Sequence, residues 1–399
     1  MKRYFLFLFN ILNTLVAISS EEARNYTVIV SLDGFRADYK EWYQTPTFDA
    51  IEENGVSATM LPSYPASTFP NHYTLATGLT PDHHGIVNNT FWDKSREVRY
   101  SLGDSATRHD ITFYGGEPIW ITAQKQGLKV GTVYWVASDL HIQNTDPTYY
   151  MDYQKKPLIT FDARVDSVVS WLSKPEGERP HLIMSYYEEP DHVGHVYSPR
   201  GQETKNRVEE LDKLMGELRE RLSYLPIADS INLIITSDHG MATISKDRVV
   251  SQKKYIKDEW VDVVVNGTPT SIFTKEGYRD SVYNALKNVP HLYVWKREEI
   301  PAEVGYGENK DRIGDIVVCP EVGWLFGDFS PRSLGAHGYL PSSPEMQVMF
   351  VAEGPDFKKG YKSEKFVNVD VYNMLARLLK IDPAPTDGVD ARINGLFAK

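Results

Sequence analysis

Four apolar runs, each closed by a polar turn, constrain this chain most: YTVIVSLDG (residues 26–34), HLIMSYYEEPD (181–191), INLIITSDHG (231–240) and EMQVMFVAEG (345–354). Val/Ile/Leu-rich stretches of this length suit a parallel sheet buried on both faces. In open α/β sheets, ligands bind beyond the carboxyl ends of the strands. Asp33 ends the first run, Asp191 the second, and Asp238 with His239 the third. Their side chains are therefore expected to face one shared site. Helical segments alternate with the runs, as at 160–172 and at 202–222 with its Glu/Lys/Arg face. The expected fold class is α/β, with a mostly parallel central sheet and helices on both faces. A less regular, charge-rich stretch at about 247–320 reads as a smaller inserted subdomain. Chemistry-bearing residues flank it on both sides, so one catalytic domain is expected over 24–388, followed by a C-terminal tail at 389–399.

Bulk properties narrow the function. The 399 residues carry a net charge of −11, which argues against wrapping a nucleic-acid polymer, because no basic face offsets the phosphate backbone. A small phosphorylated substrate stays compatible, since bound divalent metals invert the local field. At the N-terminus Lys2 and Arg3 precede apolar stretches at 4–12 and 15–18, and small residues follow at Ala17, Ser19 and Ser20. This reads as a signal peptide over 1–20, with a secreted or lumenal mature protein. A signal anchor is the weaker alternative, because Asn10, Asn13 and Thr14 interrupt the apolar stretch. No later segment has the length to span a bilayer, and the sequence leaves the oligomeric state open. The single cysteine, Cys319, excludes an intrachain disulfide. Its apolar setting reads as a buried inert thiol, with an interchain disulfide as the alternative. Acceptor sequons occur at Asn25, Asn88 and Asn266. Asn25 and Asn266 sit at turn positions and are the expected glycosylation sites.

The chemistry concentrates in a few polar positions. In PASTFPNHYTLATG (65–78) the proline after Thr68-Phe69 suits the first position of a helix, where its missing N–H is not needed. Thr68 is then placed at a helix N-terminus, where free N–H groups and the dipole favour an anionic phosphoryl group. A simple N-cap role for Thr68 is the competing reading. Asp191 and His195 stand four apart, Asp238 and His239 are adjacent, and His337 lies in GAHGY. Asp and His donors without a thiolate suit zinc or another divalent ion at an open catalytic site. His72, His83 and His84 read as helix or loop residues, and His141, His181 and His291 as structural or surface ones. Between Glu41 and Asp93 there is no Lys or Arg. A phosphate monoester wants extra cationic donors for its second charge, so a diester is favoured. Asn89, in HGIVNN, offers a neutral donor to a phosphoryl oxygen.

In this order, LDGFR, TFPNHYTLATGL, HHGIVNN, EEPDHVGH, SDHGM and AHGY resemble the nucleotide pyrophosphatase/phosphodiesterase family of the alkaline phosphatase superfamily. The resemblance runs from about residue 26 to 388 and looks closest to the short, single-domain members. It implies an alkaline phosphatase-like fold and two zinc ions. One would be held by Asp33, Thr68, Asp238 and His239, the other by Asp191, His195 and His337. Thr68 would attack phosphorus and form a nucleotidyl-threonine, while Asn89 and the backbone N–H of Phe69 hold the non-bridging oxygens. Phe69 and Tyr153 would stack on a nucleobase, with Tyr150 assisting. Core packing of Tyr149, Tyr150 and Tyr153 is the rival reading. The chain departs from the family's usual Trp-Pro-Gly-Ser/Thr-Asp in reading Trp135-Val136-Ala137-Ser138-Asp139, and Ser67 stands where many members carry Lys. The expected activity is hydrolysis of nucleotide phosphodiester or pyrophosphate bonds. Cleavage of choline-type or lysophospholipid diesters, and a catalytically silent binding ectodomain, are the alternatives.

Overall fold

The computed structural model describes residues 24–398, so the expected signal peptide lies outside the described residues. In chain order the first strands of the central sheet are β1 (Tyr26–Leu32), β2 (Val56–Leu61), β3 (Val130–Val133), β4 (Tyr149–Met151), β5 (Leu182–Tyr187) and β6 (Ile231–Thr236). A second group follows: β7 (Val261–Val265), β8 (Thr270–Thr274), β9 (Leu292–Lys296) and β10 (Ile316–Pro320). The chain then returns through β11 (Val348–Glu353), β12 (Tyr361–Lys362) and β13 (Phe366–Val367). The central sheet has nine strands in the order β12-β2-β11-β6-β1-β5-β3-β4, with β13 also pairing β2.

Every residue of β1, β5 and β6 is buried, which is why these runs are mostly apolar, with only small or hydrogen-bonding polar residues such as Ser31 and Asn232 among them. Alternation along β1 feeds two cores: Val28, Val30 and Leu32 enter one, and Ile29 the other. The helices covering the first face include α1 (Pro46–Asn54), and those covering the second include α2 (Thr68–Thr77) and α3 (Ile119–Lys125). α4 (Phe161–Leu172) also packs on the first face, α5 (Asp191–Tyr197) carries site residues, and α6 (Gln202–Ser223) completes the first layer. α7 (Asp370–Leu378) joins the second layer. The Thr160 hydroxyl accepts the Ala163 N–H and caps α4. In α6, Val208, Leu211, Met215, Leu218 and Leu222 form the buried stripe, the spacing of an amphipathic helix. Asp212 on the same stripe accepts the backbone N–H groups of Thr47 and Phe48, and so closes the N-terminus of α1.

One run departs from expectation. β1, β5 and β6 pair in parallel, but β11 runs antiparallel to both β2 and β6. It begins beside the site, where Val348 bridges Arg36. A strand entered from the carboxyl end of its neighbours must run back against them, and this is how the preceding loop delivers His337 to the same end of the sheet.

Strands β7 to β10 form a separate antiparallel sheet with its own core of Ile272, Val282, Leu286, Ile316 and Val318. Cys319 is buried on β10, and burial pushes its thiol up to about 12. The segment expected to be a C-terminal tail packs onto the body instead. Arg392 makes a two-pronged ion pair with buried Asp370, and Phe397 stacks on Phe357. Among the described residues no helix is long and apolar enough to cross a membrane.

Candidate active site

Three strand ends and one helix start converge. β1 delivers Asp33, β5 leads into α5 with Asp191 and His195, β6 delivers Asp238 and His239, and the loop before β11 supplies His337. The donor atoms of Asp191, His195 and His337 lie within 4.8 Å of one another. Asp33 is grouped with His239 and Asp191 on one side, and with Asp238 and His72 on the other. Asp191 therefore stands between the two proposed donor sets. Gly34, with φ of +70°, makes the turn after Asp33 and lets the backbone pass against the Asp191 Cα, 2.9 Å from where a Cβ would stand.

Second partners fix which atoms face inward. His195 Nδ1 lies 2.8 Å from the Gly335 carbonyl, His337 Nδ1 2.9 Å from that of Ala66, and His239 Nδ1 2.9 Å from that of Gly240. Each carbonyl only accepts, so each Nδ1 carries the hydrogen and each Nε2 lone pair is left to coordinate. Tyr186 donates to Asp33 Oδ2 at 2.7 Å, and Gly34 N–H and the Ser237 hydroxyl donate to Asp238 Oδ1. The opposite oxygens, Asp33 Oδ1 and Asp238 Oδ2, are buried without a hydrogen bond, as is Asp191 Oδ1. Buried carboxylate oxygens left bare in this way are costly unless a cation meets them.

The electrostatics agree. Burial, then the neighbouring carboxylates of Asp238 and Asp191, push the Asp33 carboxyl well up. Burial also raises Asp191. For Asp238 burial acts upward, but His239, His72 and the Gly34 N–H outweigh it and hold the carboxyl low. Burial, with His239 and His195 nearby, keeps the His337 ring neutral. The donor set thus fits divalent cations.

Thr68 opens α2, and Ser67 is the residue that caps it, making no side-chain capping bond. Thr68 is therefore not an N-cap, and Pro70 falls third in the helix, where an N–H is still dispensable. The Thr68 hydroxyl lies 3.0 Å from His239 Nε2. The Phe69 N–H donates to Asn89 Oδ1 at 2.9 Å, so that N–H, expected to hold a phosphoryl oxygen, instead orients Asn89 and leaves its amide NH2 as the donor.

Thr68, Phe69, Asn89, Asp33, Asp191, His195 and His337 all line a cavity of about 410 Å³ together with Tyr153. Asp238 and His239 lie behind this lining, fully buried. Tyr150 is not among the lining residues. It sits on edge strand β4 and is 41% exposed, because strand alternation turns its side chain outward. Lys156 covers one face of the Tyr153 ring at 4.2 Å. The Val136-Ala137 departure keeps a glycine-like turn: Ala137 takes φ of +65°, and the Leu140 N–H bonds back to its carbonyl. Of the sequons, Asn266 is exposed in the β7–β8 turn, whereas the half-buried Asn25 amide donates to Asp356.

Sequence reasoning missed three charged wall residues, Arg108, Asp139 and Glu188, and also His192. Arg108 lines the cavity although the stretch around Thr68 lacks cations, but its guanidinium pairs with Asp139 at 3.2 Å, both buried. Glu188 lines it too, held two-pronged by Arg164. Both carboxylates are thus paired, so neither offers the free negative charge that a choline cage would need.

This geometry, on a mostly parallel sheet of alkaline phosphatase-like fold, defines a metal-dependent hydrolase of phosphodiester or pyrophosphate bonds. The chain belongs to the type I phosphodiesterase/nucleotide pyrophosphatase family, whose model matches residues 27–340. It is 36% identical over 375 residues to the bis(5'-adenosyl)-triphosphatase ENPP4 of Bos taurus, covering 93% of this chain and 81% of that protein. It is 34% identical to human ectonucleotide pyrophosphatase/phosphodiesterase family member 5, covering 96% of this chain and 80% of that one. Murine ENPP5 superposes with a TM-score of 0.87 at 34% identity, covering 94% of this chain and all of the other. An inactive threonine-to-alanine variant of that murine protein, in complex with AMP, matches with the same score.

Proposed function

We propose that the chain is a secreted, zinc-dependent nucleotide phosphodiesterase/pyrophosphatase acting through a covalent nucleotidyl-threonine. The observation that carries this reading is the placement of the Thr68 hydroxyl beside His239 on the wall of the cavity that also holds Phe69 and Tyr153. Asp33, Thr68, Asp238 and His239 would hold one zinc ion and Asp191, His195 and His337 the second. Bound there, the ions supply Lewis-acid chemistry that offsets phosphoryl charge and favours the Thr68 alkoxide. The Thr68 oxygen attacks phosphorus in line, and the bond to the leaving group breaks. Water then attacks the phosphothreonine ester, releasing the nucleoside monophosphate and restoring the hydroxyl. The Asn89 amide NH2 steadies a non-bridging oxygen through both steps. Phe69 and the uncovered face of Tyr153 hold the base, a contact tolerant of base identity.

Thr68→Ala tests this. Turnover falls to background while zinc content stays near that of the wild type, because six protein ligands remain. In the wild type, acid quench during turnover traps a nucleotidyl group on the Thr68 peptide. Retained turnover in the variant would exclude the covalent route.

A further inference from the structure

His72 lies on α2 one turn beyond Thr68, fully buried, and its ring reaches back toward the site. Nδ1 is 3.0 Å from the Thr68 carbonyl oxygen and 3.2 Å from Asp238 Oδ2. Both neighbours are acceptors, so Nδ1 carries the hydrogen. The hydrogen bond goes to the Thr68 carbonyl, since Asp238 Oδ2 has no hydrogen bond of its own. Nε2 is occupied by the Ser31 hydroxyl at 2.9 Å, so neither nitrogen has a lone pair directed at the donor cluster. The ring is clamped edge-on between Trp135 and Tyr186, and the Trp135 indole N–H donates to the His72 carbonyl. Tyr186 in turn donates to Asp33 Oδ2.

We propose that His72 is a positioning residue that sets Thr68 relative to the metal-facing oxygen of Asp238. Its ring N–H fixes the Thr68 backbone and presents a positive edge to Asp238 Oδ2, so that nucleophile and carboxylate keep one spacing whether or not substrate is present. His72 touches neither substrate nor the reacting atoms. It acts through its neighbours, as outer partners of metal ligands do. The inference rests on the reading of Thr68 as nucleophile and Asp238 as ligand.

The test compares His72→Asn, His72→Gln and His72→Leu with the wild type. Asn places an amide N–H near the position of Nδ1, whereas Gln reaches toward Nε2 and Leu offers no donor. Zinc affinity is measured by competition with a chromogenic chelator, kcat and KM with a nucleotide diester, and melting of the chelated proteins reports whether each folds. His72→Leu and His72→Gln are expected to lose about 10- to 100-fold in zinc affinity or kcat with KM little changed. His72→Asn should stay within about threefold of the wild type. Wild-type values in His72→Leu, or a loss in folded His72→Asn as deep as that in His72→Gln, would overturn the positioning role. If His72→Leu does not fold, the Asn and Gln pair still decides. Wild-type protein without chelator-sensitive turnover would instead sink the underlying assignment of the site.

Discussion

The imidazole of His239 lies flat on that of His337, with 3.7 Å between ring centroids and 15° between planes. The two rings come from different donor sets, yet they share one stack, and Asp191 also borders both. Two protonated rings would repel strongly this close, burial keeps the His337 ring neutral, and each ring's Nδ1 is engaged by a backbone carbonyl. The site is therefore one continuous unit rather than two independent pockets.

Tyr153→Ala should raise KM for nucleotides about tenfold, with a smaller effect on kcat. One ring face is covered by Lys156, and loss of a single base stack corresponds to about 1–3 kcal/mol. Stacking acts equally on ground and transition states, so the effect falls on KM. Steady-state kinetics on a nucleotide diester decide this, and an unchanged KM would remove Tyr153 from the base site.

Ala137→Gly should stabilise the protein. Ala137 holds φ of +65°, a conformation that disfavours a side chain by about 1–2 kcal/mol, while glycine's extra backbone entropy takes back about 0.5–1 kcal/mol. The net gain of up to about 1.5 kcal/mol corresponds to a rise in melting temperature of up to about 2 °C for a chain of this size, with nucleotide KM preserved because the turn is already glycine-like. A lower melting temperature would show that the turn is not strained.

His84 should make stability pH-dependent. Burial holds its ring down to about 3, with Nδ1 accepting the Ile86 N–H and Nε2 beside Thr74 and the Pro70 carbonyl. The unfolded chain, with an ordinary histidine near 6.5, binds the extra proton. Stability is therefore full above about pH 6.5 and declines as pH falls toward 3, by at most about 1.4 kcal/mol per pH unit for this one group. In His84→Gln that share of the slope should vanish, so denaturant melts of variant and wild type should converge between pH 7 and 5. A pH-independent difference would contradict the assignment.

Much of this was legible in the chain. Asp33, Asp191, Asp238 and His239 were readable because each closes an apolar run, and strand direction alone collects such residues at one end. The antiparallel sense of β11 was not readable, since a buried run looks the same in either direction. Tyr150 and Tyr153 could not be separated by type, because only the end of β4 decides which faces the cavity. The Arg108–Asp139 and Arg164–Glu188 pairs were hidden because each joins residues more than twenty positions apart through loops or strand ends with no motif. The absence of cations near Thr68 in sequence thus did not mean their absence in space. What it did foreshadow is a cavity whose one lining arginine, Arg108, is already paired with a carboxylate.

The most direct measurement is hydrolysis of a chromogenic nucleotide diester beside the matching aryl phosphate monoester, each with and without chelator and with zinc added back. Arg108, the arginine that lines the cavity, is already paired with Asp139, so strong, zinc-restorable diester turnover with little monoester turnover is the expected result. Equal or greater monoester turnover, or diester turnover untouched by the chelator, would contradict the account.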